Sequence, residues 1–231
     1  MKVDIGIIGA MQEEVEGLIA TLENARVECV SGIDFYLGEI FSKRVVIAKC
    51  GVGKVFAAIC AEAMAIKYSP SLIVNTGVGG AVAEGLSTGS VVVASSLLQY
   101  DMDTSPIGDP KGLISGINKI YFDTDARATQ ILLSSAEKLG LCVFCGIVAT
   151  GDKFVATAED KKKIREEFSA VACEMEGGAV AHTAYVNSVP FAVVRAISDS
   201  ADGNATMDYP TFLPLAAKNS TSLTLALIKE Y

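Results

Sequence analysis

Histidine is scarce in this sequence, and cysteines are not spaced as metal ligands. His182 is the only histidine, and Cys142 and Cys145 form the only Cys-x-x-Cys pair. The pair falls in a predicted strand, where residues three apart point to opposite faces, so both thiols could not bind one ion. A zinc site built from cysteine and histidine needs further ligands that the sequence does not offer. We therefore predict no metal site and no thiol redox chemistry.

Basic residues are too few and too scattered for a nucleic-acid-binding surface. Lysine and arginine number 19 against 27 aspartate and glutamate, which gives a net charge of -8. The one dense basic run is Lys161-Lys162-Lys163, and residues 164–167 that follow it include two glutamates. This composition predicts a solvent-exposed helix face. DNA, RNA and anionic membranes are therefore disfavoured as partners.

Long apolar runs are also missing. No stretch approaches the ~20 apolar residues that a membrane helix needs. The apolar segment at residues 3–9 is short, is interrupted by Asp4, and is soon followed by Glu13 and Glu14, unlike the core of a signal peptide. It is typical of a buried strand. We therefore predict a cytoplasmic protein that does not enter a membrane.

Length and composition favour one α/β domain over residues 1–231. The chain is 51% hydrophobic and 20% charged, as globular enzymes are. Predicted strands alternate with predicted helices, such as those over 158–168 and 176–187. The strand at 190–197 is almost continuously apolar, which indicates burial on both of its faces. The predicted fold is a mixed central β-sheet flanked by helices on both sides.

Glycine and acidic residues cluster where the predicted strands end, which is where α/β folds bind their ligands. The glycines of 77–80 are interpreted as a tight turn. Neither they nor residues 51–54 match a phosphate-binding or dinucleotide-binding loop. The candidate strand ends are residues 9–14, 50–54, 75–81, 150–155, 174–178 and 198–199.

Three acidic residues at these ends, Glu14, Glu176 and Asp199, are the main candidates for chemistry. Each also has a structural explanation. Glu14 and Glu176 begin predicted helices, where the helix dipole and free N–H groups stabilise a carboxylate. Asp199 follows a buried strand and could cap a turn. Because all three are expected at one edge of one sheet, we predict that they share a site.

Five ordered motifs span the chain: Ile7–Val15, Asn75-Thr76-Gly77, Thr150–Phe154, Glu174-Met175-Glu176 and Val194–Asp199. Together they resemble those of the 5′-methylthioadenosine/S-adenosylhomocysteine nucleosidases, in the nucleoside phosphorylase superfamily. The resemblance implies a purine nucleoside hydrolase that needs no cofactor. It would cleave the N-glycosidic bond and release adenine and a 5-thioribose. The implied roles are methionine salvage and the recycling of S-adenosylmethionine by-products.

The resemblance also implies a role for each acid. Asp199 would protonate N7 of the departing adenine, which requires a pKa raised by burial above the ordinary ~3.9. Glu14 would deprotonate or orient the attacking water. Glu176 would hold the ribose hydroxyls and stabilise the positive charge that develops on the sugar. Arg195 and Ser198 would orient carboxylates, with ordinary hydrogen bonding at a strand end as their alternative explanation.

Further contacts with the nucleoside follow from the same resemblance. Phe154 would stack on adenine, the backbone of Val155 would read the edge of the base, and Gly80 would allow close approach of the purine. Met175 would pack beneath the sugar.

An apolar 5′ pocket would accept the thioether. Three residues match family positions that line it: Met11, Val52 and Tyr209. Ile107 matches a position contributed by the neighbouring subunit, which implies a homodimer.

Two departures from the family pattern affect this interpretation. Val78 stands where many members have serine, and a valine cannot donate to phosphate, so water is favoured as the nucleophile. The loop over 101–107 lacks the histidine and phenylalanine often found there, which leaves the preference between the two thio substrates open.

Two alternatives to a hydrolase remain at this stage. One is a purine nucleoside phosphorylase and the other is a non-catalytic nucleoside-binding protein. The presence of all three acids disfavours the binding protein. The phosphorylase is disfavoured because four arginines lie away from the candidate strand ends: Arg26, Arg44, Arg127 and Arg165.

Overall fold

A computed structural model describes residues 2–200 and 205–231 of the chain. The strands are β1 (Ile5–Gly9), β2 (Glu23–Val30), β3 (Ile33–Ile40), β4 (Lys43–Lys49), β5 (Leu72–Ala81), β6 (Val91–Gln99), β7 (Phe122–Asp123), β8 (Val143–Thr150), β9 (Ala170–Glu174) and β10 (Phe191–Asp199). The α-helices are α1 (Gln12–Ile19), α2 (Lys54–Tyr68), α3 (Ala126–Lys138), α4 (Ala158–Phe168), α5 (Gly177–Val186) and α6 (Ala205–Glu230), and a 3-10 helix spans Ser105–Ile107.

The strands of the described residues form one ten-stranded mixed sheet. Its order is β10-β6-β8-β9-β5-β1-β4-β3-β2, with β7 paired to β6. Strand β10 also pairs with β5, so β5, β10, β6, β8 and β9 close into a ring. Strands β1, β5 and β10 are parallel neighbours, and their carboxyl ends therefore meet at one edge.

Helices cover both faces of the sheet, as the sequence predicted. Successive residues of β1 belong to different hydrophobic clusters: Ile7 belongs to the cluster that contains residues of α1, α3 and α6, whereas Ile8 belongs to the cluster that contains residues of α2 and α5. Side chains alternate faces along a strand, so a strand covered on both sides is apolar throughout. No helix in the described ranges is both long enough and apolar enough to cross a membrane.

Strand β5 extends further than expected, and the predicted tight turn at residues 77–80 is wrong. The strand continues through Gly77 and Gly80 to Ala81, and neither glycine has a positive φ. Glycine is needed here for space. A Cβ atom would lie 2.4 Å from Oε1 of Glu14 at Gly77, and 2.8 Å from Oδ2 of Asp199 at Gly80.

Candidate active site

A cavity of about 560 Å³ opens at the sheet edge where β1, β5 and β10 end. This volume includes the open mouth of the cavity. Most of the predicted site residues line it: Met11, Glu14, Val52, Gly80, Phe154, Val155, Met175, Glu176, Ser198, Asp199 and Tyr209. Two predicted residues, Arg195 and Ile107, do not line the cavity. Arg195 is buried beneath the residues that line it, and Ile107 is 82% exposed elsewhere on the surface.

Glu14 is buried, and backbone N–H groups hold both of its oxygens. Ala10 and Met11 donate to Oε2 over 2.7 and 3.0 Å, and Val78 donates to Oε1 over 2.9 Å. The first two donors precede α1, so helix capping explains one oxygen. The donor from β5 does not belong to that helix. Burial raises the pKa of Glu14, while the charge of Arg195 and these N–H groups oppose the rise. A carboxylate with a raised pKa is suited to accept a proton from water.

Glu176 is the N-cap residue of α5, but its carboxylate makes no hydrogen bond with the helix, so side-chain capping does not explain this acid. Its Oε1 accepts a 2.8 Å hydrogen bond from the backbone N–H of Gly53. The cap is Glu174, whose Oε2 accepts from the N–H groups of Glu176 and Gly177 over 3.0 and 2.7 Å. Burial, together with the nearby charge of Glu174, raises the pKa of Glu176 to about 7. Glu176 therefore makes no side-chain hydrogen bond with its own helix. It lines the cavity, and its pKa is close to neutral pH.

Arg195 is buried against Glu174. It donates to Glu174 Oε2 over 2.5 Å and to the backbone carbonyl of Asn75 over 3.1 Å. Thr150 donates to the other oxygen of Glu174. Arg195 thus orients the carboxylate that caps α5 and contacts none of the three candidate acids by hydrogen bond. Glu174 has no predicted role, because its partners Arg195 and Thr150 lie on strands distant in sequence.

Asp199 is buried at the end of β10 and has a partner for each oxygen. The hydroxyl of Ser198 donates to Oδ1 over 3.0 Å. The ammonium of Lys161 donates to Oδ2 over 2.7 Å. Ser198 is thus a carboxylate-orienting residue in this structure, and Lys161 is a neighbour that the sequence analysis missed.

The predicted solvent-exposed basic face of α4 is wrong for Lys161, whose side chain is 1% exposed. It is correct for Lys162 and Lys163, which form exposed salt bridges one turn along the helix. Helical spacing explains the difference. Lys161 stands three residues before Ile164 and seven before Phe168, on the buried face of the helix. This spacing is the signal that could have identified it.

Aromatic and apolar side chains form the remaining wall. The rings of Phe154 and Tyr209 meet edge to face with centroids 5.6 Å apart. The hydroxyl of Tyr209 donates to the sulfur of Met11 over 3.1 Å. Val52 is 50% exposed at the mouth. The cavity therefore combines a carboxylate-lined inner part with an apolar outer part.

Glu176→Gln should stabilise the folded protein in alkaline solution. Glutamine keeps an acceptor for Gly53 but carries no buried charge. The folded pKa of about 7 exceeds the ordinary 4.5. The stability contributed by protonated Glu176 is therefore present below about 4.5 and is lost as pH rises through about 7. We expect the variant to melt about 2–8 °C above wild type near pH 8, and the difference to shrink towards pH 5.

Thermal denaturation at both pH values checks this expectation, with the exposed Glu166→Gln as the matched control. A Glu176→Gln protein that melts below wild type near pH 8 would show that the charge at this position does not oppose folding.

Comparison with known proteins places the whole chain in one family. The model of the phosphorylase superfamily matches residues 4–229. The 5′-methylthioadenosine/S-adenosylhomocysteine nucleosidase of Actinobacillus succinogenes is 37% identical, with 98% of each chain covered.

Solved structures agree with the sequence comparison. The Neisseria meningitidis nucleosidase of the same name, in complex with methylthio-immucillin-A, has a TM-score of 0.95 at 32% identity and 99% coverage of both chains. The futalosine hydrolase of Helicobacter pylori has a TM-score of 0.94 at 30% identity, covering 99% of this chain and 98% of its own. The chain therefore belongs to the phosphorylase superfamily and, within it, to the 5′-methylthioadenosine/S-adenosylhomocysteine nucleosidases.

Proposed function

We propose that this enzyme hydrolyses the N-glycosidic bond of 5′-methylthioadenosine and S-adenosylhomocysteine, releasing adenine and a 5-thioribose. The reaction recycles by-products of S-adenosylmethionine and serves methionine salvage. The observation that carries the proposal is the set of three buried carboxylates, Glu14, Glu176 and Asp199, each with different partners around one cavity. The names of the similar proteins support the same chemistry.

The reaction separates charge, and each carboxylate suits one part of that separation. When the bond between C1′ and adenine breaks, its electron pair leaves with the base and the ribose becomes positive. Asp199 gives a proton to N7 of adenine. Glu176, in its ionised form, accepts hydrogen bonds from the ribose hydroxyls and stabilises the positive sugar. Glu14 takes a proton from water as the water oxygen bonds to C1′.

Different surroundings allow two carboxyl groups to act in opposite directions. Among the described residues, three backbone N–H groups and no cationic side chain make hydrogen bonds to Glu14, which suits a base that must point an oxygen at water. Asp199 has a hydroxyl and an ammonium group as partners. The Phe154 ring is 45% exposed and lines the same cavity as Asp199, which supports the proposal that it stacks on adenine.

The apolar outer part of the cavity suits the 5′ thioether, and we propose that a second subunit completes it. Ile107 is 82% exposed, and the surface of α2 exposes four further large apolar side chains, Val55, Phe56, Ile59 and Ile66. Exposed apolar patches of this kind mark association surfaces. A homodimer would cover them and bring Ile107 of the partner subunit to the cavity mouth. Sedimentation equilibrium should then give twice the mass of one chain.

Water is favoured over phosphate as the nucleophile. No arginine stands among the described residues that line the cavity. Arg44 pairs with Asp4, and Arg165 pairs with Glu84. Val78, which lines the cavity, has no hydroxyl to donate to phosphate.

We expect adenine release from 5′-methylthioadenosine at the same rate with and without added phosphate. Chromatography of the products checks this expectation and identifies the sugar. Strict dependence on phosphate, with a sugar 1-phosphate as product, would establish a phosphorylase instead. Binding without adenine release in either buffer would establish a nucleoside-binding protein.

The same assay ranks the possible substrates. S-adenosylhomocysteine, 5′-deoxyadenosine and aminodeoxyfutalosine share the adenine end with 5′-methylthioadenosine and differ at the 5′ end. The similarity to a futalosine hydrolase gives a specific reason to include the last of these. A cytoplasmic location and a single domain remain predictions of the sequence.

A further inference from the structure

Lys161 is a buried charged residue that takes no part in the proposed reaction steps. Lys161, on α4, places its ammonium 2.7 Å from Oδ2 of Asp199, and the two side chains are 1% and 3% exposed. The same ammonium donates to the backbone carbonyl of Ser200. A lysine buried this deeply is held by its partners. Its helix carries none of the motifs by which the family was recognised.

We propose that Lys161 is a positioning residue for the general acid: it orients Asp199 and stabilises the carboxylate that remains after the proton has passed to adenine. This inference rests on the proposed function. The ammonium lies against Oδ2 of Asp199, so the charge of Lys161 acts directly on the loss of the proton from this carboxyl group. The pH dependence of the reaction therefore reports the role of Lys161.

The groups around Asp199 leave Lys161 as the residue that stabilises its carboxylate. The other titratable or charged groups that line the cavity or lie on the elements packed around Asp199 are Glu14, Glu176, Lys153, Cys173 on β9, Tyr209 on α6, and the pairs Arg165–Glu84 and Arg195–Glu174. Glu14 and Glu176 are acidic, and the ammonium of Lys153 pairs with Asp160 over 2.8 Å. Burial raises the pKa of both Cys173 and Tyr209 to about 12, so both are neutral near pH 7. The two arginines are engaged with glutamates. Within the described ranges, Lys161 is thus the cation paired with Asp199.

Removing the ammonium should have two opposite effects. A buried carboxylate without its cation holds its proton to higher pH, so protonated Asp199 persists further into the alkaline range. The proton is then given up less readily, because the carboxylate left behind is not stabilised. A lysine that only supported the fold would lower the amount of active protein without moving the pH dependence.

The test compares the pH dependence of kcat/KM for 5′-methylthioadenosine in the wild type, Lys161→Met and Lys161→Arg. We expect the alkaline decline of Lys161→Met to move up by about one pH unit or more, with a maximum reduced ~10-fold. Lys161→Arg keeps the charge and should keep the wild-type position of the decline. Lys162→Met, on the exposed face of the same helix, should match the wild type throughout.

A Lys161→Met profile that declines at the wild-type pH overturns the proposal, whatever its maximum rate. If this variant does not fold, Lys161→Gln takes its place, because it removes the charge and keeps a hydrogen-bond donor for Asp199 and Ser200. The alkaline decline of Lys161→Gln should move in the same direction, and a decline at the wild-type pH overturns the proposal. Failure of the proposed function would appear separately, as wild-type enzyme that releases no adenine.

Discussion

Asp199→Asn should lower kcat for 5′-methylthioadenosine by ~10³-fold or more, while the substrate still binds. Asparagine has nearly the same shape and keeps an oxygen for the hydroxyl of Ser198, which now donates to Oδ1 over 3.0 Å. It has no acidic proton for N7 of adenine, and loss of a general acid typically costs ~10²–10⁴-fold. Single-turnover adenine release and equilibrium dialysis of the nucleoside measure the two quantities.

Asp160→Asn is the matched control for this variant. Asp160 lies on the exposed side of α4, where it pairs with Lys153 over 2.8 Å. Its replacement should leave kcat within ~2-fold of wild type. An Asp199→Asn enzyme that turns over within a few fold of wild type would remove Asp199 from the role of general acid.

Glu14→Gln should lower kcat by ~10²–10⁴-fold through loss of the base. Both oxygens of Glu14 accept from backbone N–H groups. The amide nitrogen of a glutamine would therefore face one of these backbone N–H groups, and two donors cannot form a hydrogen bond. The remaining amide oxygen is not basic enough to accept a proton from water. Because burial raises the pKa of Glu14, wild-type kcat/KM should also fall as acidification protonates this group. Stopped assays of adenine release measure the effect.

Glu13→Gln, one residue away and exposed, is the matched control and should be nearly neutral. A nucleoside analogue with a nitrophenolate leaving group, which departs without a proton, separates the two acids. It should restore turnover in Asp199→Asn and not in Glu14→Gln. Restoration in both variants would contradict the division of roles.

The sequence was sufficient to predict the layers of the fold and most residues at the cavity. Alternating apolar strands and helices have local signatures, and the helix predicted over 158–168 is α4 with the same bounds. Glu14 and Asp199 could be placed at one edge because β1, β5 and β10 are parallel and bring their carboxyl ends together. Glu176 follows β9, which pairs antiparallel with the last residues of β5, and this pairing has no local signature in the sequence.

Contacts between distant segments could not be predicted in the same way. The ion pair of Glu174 with Arg195 joins separate strands, so the sequence alone does not identify Glu174 as the cap of α5 and favours Glu176 instead. Lys161 was judged by the charge of its neighbours rather than by the face of the helix that it shares with Ile164. Gly77 resembled a turn residue, although the space it leaves is taken by a side chain from α1.

The ring of strands has a consequence for how this enzyme can be altered. Asp199 and Gly80 are paired neighbours on β10 and β5, inside a closed hydrogen-bonded circuit that tolerates little displacement. Val52 and Ile107 lie outside that circuit and are largely solvent-accessible in the single chain, where substitutions usually change stability by less than ~0.5 kcal/mol. Substitutions at such positions can therefore change which 5′ substituent the enzyme accepts, while the catalytic residues stay unchanged.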